Sequence, residues 1–384
     1  MPRLHSHICR ITALILAFSG IYNDSNAQSS TSGKLTLLFM GDIMGHDEQI
    51  RSAEDRSNHT YNYDSVFTYI KPVISEADIA IANLEVTMAG TPYRGYPSFS
   101  SPPALAIACR NAGIDCLVTA NNHAADRRSS GINRTISILD SLGILHTGTF
   151  SDRTERRMKY PLILKKNGIT VALLNYTYGT NGIKVKEPVI VNTIDKKVIA
   201  DDIVKARNQR PDIIAVFLHW GKEYSAVPSK VQTELAEFIF EKGADIVIGS
   251  HPHTLQKMVW TKYSNQAKGR VAVYSLGNFI SNHQKRKTNG GAIARIEIRR
   301  TGSKVSIYAA DYYLTWVYSP VERLRKKFYI IPCSEYENRS SFFSEPVYYK
   351  KMKEFMVDSR SLLYNQNIDF YENIFNGSSW LSNY

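Results

Sequence analysis

The chain has 384 residues, a formal net charge of +12 and four cysteines. That length holds one large domain or two smaller ones, and so few cysteines argue against a disulfide framework. The basic balance comes without a nucleic-acid-binding motif, so the expected partner is an anionic envelope polymer or a small substrate and not a nucleic acid.

Arg3 and Arg10 flank the start of an apolar run, Ile11 to Ile21. A run of about eleven residues is too short to span a bilayer and fits the apolar region of a secretory signal. Ser25-Asn26-Ala27 places small residues where a signal peptidase cuts, so residues 1–27 are expected to be removed and the protein exported, to the periplasm or the cell surface. An uncleaved anchor helix is the other reading of this run. Cys9 precedes the run and so cannot be a lipid acceptor after cleavage. Residues 28–34 read as a flexible Ser/Thr/Gly leader.

From Leu35 short apolar runs alternate with helical patterns. The predicted strands are Leu35–Met40, Ile79–Ala82, Cys116–Ala120, Ile169–Leu174, Ile213–Leu218, Ile246–Ile248 and Val271–Tyr274. The predicted helices are Tyr63–Ser75, Ala104–Ala112, Ser130–Leu142, Asp195–Ala206 and Ser229–Lys242. Such alternation predicts a layered α/β fold. Gly291–Arg299 and Val305–Tyr318 alternate in the strand manner and suggest antiparallel strands finishing a sheet. Ser344 to Leu363 reads as a C-terminal helix. The expected organisation is one domain over residues 35–320 and an extension, residues 321–384, whose helix packs on it. Cys109 and Cys116 lie in apolar surroundings and are expected to be buried thiols.

The residues after each apolar run carry the chemistry. The successive ends are Asp42, then Glu85, then Asn122-His123, then His219 with Glu223 and Tyr224, then His251-Pro252-His253, and lastly Asn278. Ligands bind beyond the carboxyl ends of strands in open α/β sheets. Eight of the ten histidines lie beyond residue 27, and four of them follow predicted strands. Imidazole with carboxylate is the donor set of a transition ion such as Mn, Fe or Zn. One Asp, one Glu, one Asn and three or four His suffice for one or two ions. Two ions can clamp the attacking and leaving oxygens of a phosphoester.

Phe39-Met40-Gly41-Asp42-Ile43-Met44, Ala82-Asn83-Leu84-Glu85, Thr119-Ala120-Asn121-Asn122-His123, His219-Trp220-Gly221-Lys222-Glu223-Tyr224, Gly243 to His253 and Tyr274 to Ile280 occur in that order. Together they resemble the motifs of the poly-γ-glutamate capsule-biosynthesis (CapA) family, over about Leu35 to Arg299. That resemblance implies a calcineurin-like metallophosphatase fold, a four-layer α/β/β/α sandwich. It implies Asp42, Glu85, Asn122, His219, His251 and His253 as ligands of a divalent metal and His123 as the residue assisting the chemistry. The superfamily's Asp-x-His motif reads Asp42-Ile43-Met44 here, and a thioether is a poor ligand for a hard ion. His46 and Glu223 are the candidate substitutes. Tyr224 and Asn278 are candidates for substrate contact or for support of the ligands. The implied function is biosynthesis or export of a capsule polymer, with membrane-bound synthesis machinery as a further partner. A metal-dependent hydrolase and a non-catalytic polymer-binding scaffold are the alternatives.

Overall fold

The computed structural model describes residues 32–262 and 268–382. The expected export signal, residues 1–27, and residues 28–31 of the leader lie outside the described residues. Among the described residues no helix is long and apolar enough to cross a membrane.

Two sheets face one another. Strand β1 (Ser32–Ile43) lies at the centre of a ten-stranded sheet. On one side it pairs in parallel with β2 (Ile79–Leu84), which leads to β3 (Cys116–Val118) and β4 (Leu145–Thr147), all parallel. The six-stranded sheet comprises β5 (Leu162–Lys166), β6 (Ile169–Thr177), β7 (Ile213–His219), β8 (Ile246–Ser250), β9 (Met258–Thr261) and β10 (Arg270–Val273), in the order β9-β10-β8-β7-β6-β5. Its four inner strands, β6, β7, β8 and β10, run parallel. The large sheet continues on the far side of β1 with the antiparallel pair β12 (Gly290–Thr301) and β13 (Lys304–Tyr318), while β11 (Asn278–Ile280) pairs with the end of β1.

Strands buried on both faces must be apolar at nearly every position, which is why the runs stood out in the sequence. The two-residue alternation then sorts the side chains into separate cores. Leu35, Leu37 and Phe39 of β1 meet Val171, Leu173, Phe217 and Ile248 between the sheets. Leu38 and Met40, facing the other way, pack with Leu105 and Cys109 of α1 (Ala104–Ala112) and Leu139 of α2 (Arg128–Ser141). Leu174, Val216 and Val247 pack outward on Ile199 and Ile203 of α3 (Lys196–Asn208) and Leu235 and Ile239 of α4 (Lys230–Lys242). The result is the expected four-layer α/β/β/α sandwich.

The last residues extend the large sheet. A short hairpin, Val321–Glu322 with Arg325–Lys326, precedes β14 (Tyr329–Pro332), which pairs with β13. Helix α5 (Pro346–Gln366) buries Met352, Phe355 and Met356 in the inter-sheet core, and β15 (Tyr371–Phe375) and β16 (Trp380–Ser382) close the edge. Cys109, Cys116 and Cys333 are free and buried.

Two of the differences from the sequence reading have a clear local cause. Tyr63–Ser75 is not one helix but a 3₁₀ turn at Asp64–Phe67 and a single α-turn at Lys71–Ile74. Pro72 lacks the N–H that a continuous helix needs there. Cys116–Ala120 stops at Val118, because the Asn175 side chain takes the Ala120 amide at 2.7 Å.

Candidate metal centre

Side-chain alternation delivers the site. In β2 the inward residues are Ile79 and Ile81, and two more steps of the same face reach Asn83 and Glu85. In β7 the inward series Ile213, Ala215, Phe217 ends in His219. In β8 the series Ile246, Ile248 ends in Ser250. By the same count Asp42 would share the outward face of Leu38 and Met40. A register shift between Met40 and Asp42 reverses this, as bulges beside functional sites commonly do. Gly41 permits it, since a Cβ there would stand 2.0 Å from the Gly277 carbonyl oxygen.

The ten-stranded sheet thus supplies carboxylates and the six-stranded sheet supplies imidazoles. Asp42 Oδ1 accepts from Asn83 Nδ2 at 2.8 Å, and Asp42 Oδ2 lies 3.1 Å from His253 Nδ1. His219 Nδ1 contacts Ser250 Oγ at 3.0 Å, and His219 Nε2 lies 2.7 Å from Asn122 Oδ1 and 3.4 Å from Glu85 Oε1. His251 and His253 hold left-handed backbones, with φ of +98° and +55°. Such angles cost non-glycine residues and tend to persist at functional positions. They turn both rings back over the strand ends, so that the His219 and His251 rings stand 4.7 Å apart. Asn278 Oδ1 lies 3.0 Å from His253 Nδ1, and its amide donates to the Thr288 carbonyl at 2.8 Å, so it orients that ring. His123 follows β3 and contacts Asp126 Oδ2 through Nδ1 at 2.8 Å, while Phe99 packs against its ring.

The electrostatics are lopsided. Burial would raise the Asp42 carboxyl, but the hydrogen bond and charge of His253, with His219 and Asn83, hold it well below the usual carboxylate range. Glu85 goes the other way: burial, then the neighbouring Asp42 charge, raise its carboxyl well above 4.5. Burial and then His251 push the His219 imidazole well below 6.5, and burial and then His253 bring His251 down to about 4. Burial thus works against charge on both partners of the 3.4 Å contact between His219 and Glu85. Both Glu85 oxygens and His251 Nδ1 are buried without a hydrogen-bond partner.

A divalent cation would resolve these conflicts. Glu85, His251 and His253 offer ligand atoms within 4.8 Å of one another, and so do Asp42, Glu85 and His219. Glu85 belongs to both groups. The mixed carboxylate and imidazole donors, fully buried and partly orphaned, fit a transition ion. Met44 contributes nothing. It is 2% exposed and packs in the core behind the ten-stranded sheet with Ile43 and Phe279. Neither substitute ligand joins a group. His46 Nδ1 is engaged by the Gln49 side chain at 3.1 Å and the Asn282 amide at 3.3 Å, and Glu223 is exposed. Tyr224 stands at the rim, its ring 6.3 Å from His253.

Residues 36–283 match the family described as bacterial capsule synthesis protein PGA_cap. The chain belongs to this family. Among curated relatives of this PGA_cap protein, it is 28% identical to the capsule biosynthesis protein CapA of Bacillus anthracis over 71% of this chain. The alignment spans 66% of that relative, just under two thirds of its length. It is 26% identical to the PGA biosynthesis protein CapA of Bacillus subtilis, over 76% of each chain. Among solved structures it is similar to the calcineurin-like phosphoesterase YfkN of Bacillus subtilis, at 12% identity and a TM-score of 0.44 over 86% of this chain and 98% of that one. The Thermus thermophilus sulfate thiohydrolase SoxB gives 13% identity and a TM-score of 0.41, over 86% of this chain and 61% of that one.

Sequence reading passed over four residues of this PGA_cap site. His283 follows no apolar run, yet its ring lies 4.8 Å from His253 and 5.2 Å from His46. Asp126 carries a signal only as the acid three residues after His123. Asn83 stood in the Ala82–Glu85 motif without a role of its own, and Tyr178, whose ring is 4.6 Å from His251, reads as an ordinary loop aromatic.

Proposed function

We propose that this exported PGA_cap protein serves the biosynthesis or export of a capsule polymer of the poly-γ-glutamate type, using the strand-end cluster as a metal-dependent hydrolytic centre. The observation that carries the reading is Glu85: a fully buried carboxyl with both oxygens unpartnered, between His219, His251, His253 and Asp42. A carboxyl left so costs free energy unless a cation completes it. Asp42, Glu85, Asn122 and His219 would hold one ion, and Glu85, His251 and His253 a second. A bound ion would supply Lewis-acid polarisation of a substrate carbonyl or phosphoryl oxygen.

The remaining work falls to the chain's own residues. Asp126 fixes the His123 tautomer through Nδ1 and leaves Nε2 as the proton-exchanging atom, the arrangement general acid–base catalysis requires. Asn278 and Asn83 hold His253 and Asp42 in place. Tyr178 packs its ring against that of His251 at 4.6 Å. The basic surface suits an anionic polymer at the periplasmic or outer face of the membrane.

One observation favours a second reading, a non-catalytic polymer-binding scaffold: Met44 withdraws a donor from the site. The test is elemental analysis of protein lacking residues 1–27 and purified without chelator, followed by assays on a generic phosphodiester and on poly-γ-glutamate. One or two equivalents of Mn, Fe or Zn, lost in His251→Ala, with turnover of either substrate, support the hydrolase. Absence of metal after reconstitution overturns it. Metal without turnover of either substrate favours the scaffold.

A further inference from the structure

One basic cavity adjoins the candidate centre and a second adjoins the first, and most of their lining lies beyond residue 283, where the family match ends. The first, about 320 Å³, is walled by His283, Asn289, Trp316, Lys326, Tyr348 and Lys351. Its link to the centre is His283, whose ring contacts that of His253 at 4.8 Å. Trp316 is 2% exposed, and its indole N–H has no acceptor within the protein.

The second cavity, also about 320 Å³, lies across Lys326 and is lined by Arg51, Arg56, Arg323 and Arg325. Lys326 belongs to both walls. Among the described residues, Glu48 is the one carboxylate lining either cavity, against six lysines and arginines. Arg51 pairs with Glu48, and Arg56 with Glu54 at 3.1 Å, which leaves the excess at Arg323, Arg325, Lys326 and Lys351. Burial pulls the Lys326 ammonium below its ordinary range, with Glu48 opposing and Lys351 adding to the shift. Like charges gathered in a recess focus an anionic ligand there.

We propose that these two cavities form one track for a flexible linear polycarboxylate, running from the Arg323 hairpin past Lys326 to the His283 wall of the candidate centre. Carboxylates, and not a rigid nucleic-acid duplex, suit recesses of this size whose charged donors are separate ammonium and guanidinium groups. The assignment deepens the reading above by locating the polymer, and it rests on that reading only for the direction of the track.

The test is fluorescence anisotropy of fluorescein-labelled poly-L-glutamate with the protein lacking residues 1–27, over a range of salt. Expected is binding that weakens with salt and falls about tenfold or more in Lys351→Glu and in Lys326→Glu. Lys351 is exposed, so its variant keeps the test valid if the half-buried Lys326 variant misfolds. Lys197→Glu, on the outer helix α3, should bind as wild type does. The metal content of both Lys variants, measured on the same preparations, should match that of wild type, which separates failure of the track from failure of the metal centre. Affinity within twofold of wild type in both Lys variants overturns the proposal, as does no binding by wild type. Equal or tighter binding of polyphosphate overturns the carboxylate assignment, and binding to phosphatidylglycerol vesicles without binding to polyglutamate overturns the polymer.

Discussion

His219 Nε2 stands 2.7 Å from Asn122 Oδ1, which joins the last residue of a strand in the six-stranded sheet to the loop after a strand in the ten-stranded one. Both are metal-type donor atoms, and His219 Nε2 also reaches the orphaned Glu85 at 3.4 Å across the seam between the sheets.

Replacing Glu85 by leucine should stabilise the metal-free protein by about 1–3 kcal/mol, the usual cost of a buried polar group without partners. The same variant should lose its metal. Chemical denaturation in chelator checks the first part and elemental analysis the second. A destabilised Glu85→Leu protein would mean that the carboxyl is satisfied in the native state.

Chelator-treated protein should lose stability as pH falls from 6.5 toward 4. Burial brings His46 and His251 down to about 4 and His283 to about 3, from an ordinary 6.5. In that window the unfolded chain binds protons that the native state refuses, so acid favours unfolding. Glu85 has the opposite sign. Its raised carboxyl keeps a proton that the unfolded chain releases above 4.5, so it lowers stability as pH rises. Asp245 and Glu372, also raised by burial, act with Glu85, while the three histidines and His219 set the direction between 6.5 and 4. Thermal melts from pH 4 to 8 decide this, and a flat profile below 6.5 would count against neutral buried imidazoles.

Asp126→Asn should lower turnover by about 10²-fold or more while metal content stays unchanged, because the amide can hold the wrong His123 tautomer. Rates and metal content measured on one preparation separate this from simple loss of the site. Equal turnover would remove His123 from the chemistry.

Cys109→Ser and Cys116→Ser should each cost about 1–3 kcal/mol, since each buries a hydroxyl in an apolar core. Unchanged melting temperatures in both would contradict the packing described.

Much of the fold was legible because strands buried on both faces are continuous apolar runs, and the polar residue that ends such a run is conspicuous. Asp42, Glu85, His219, His251 and His253 were all found by that position alone. The bulge at Gly41 was not legible. It depends on a close approach to Gly277, some 230 residues away in the chain, and periodicity within β1 cannot report it. His283 escaped for a related reason: it reaches the site from a loop after β11, with no apolar run to mark it. His46 shows the converse, since closeness to Asp42 in sequence did not bring it into either ligand group.

The unequal contributions of the two sheets have a consequence for how the protein matures. Acids ride on one layer and imidazoles on the other, so neither layer alone carries the mixed donor set. A cation that requires both can load only after the layers have docked in register. Metal uptake would then act as a quality check on assembly, and a chain with slipped strands would be marked by its failure to take up the ion.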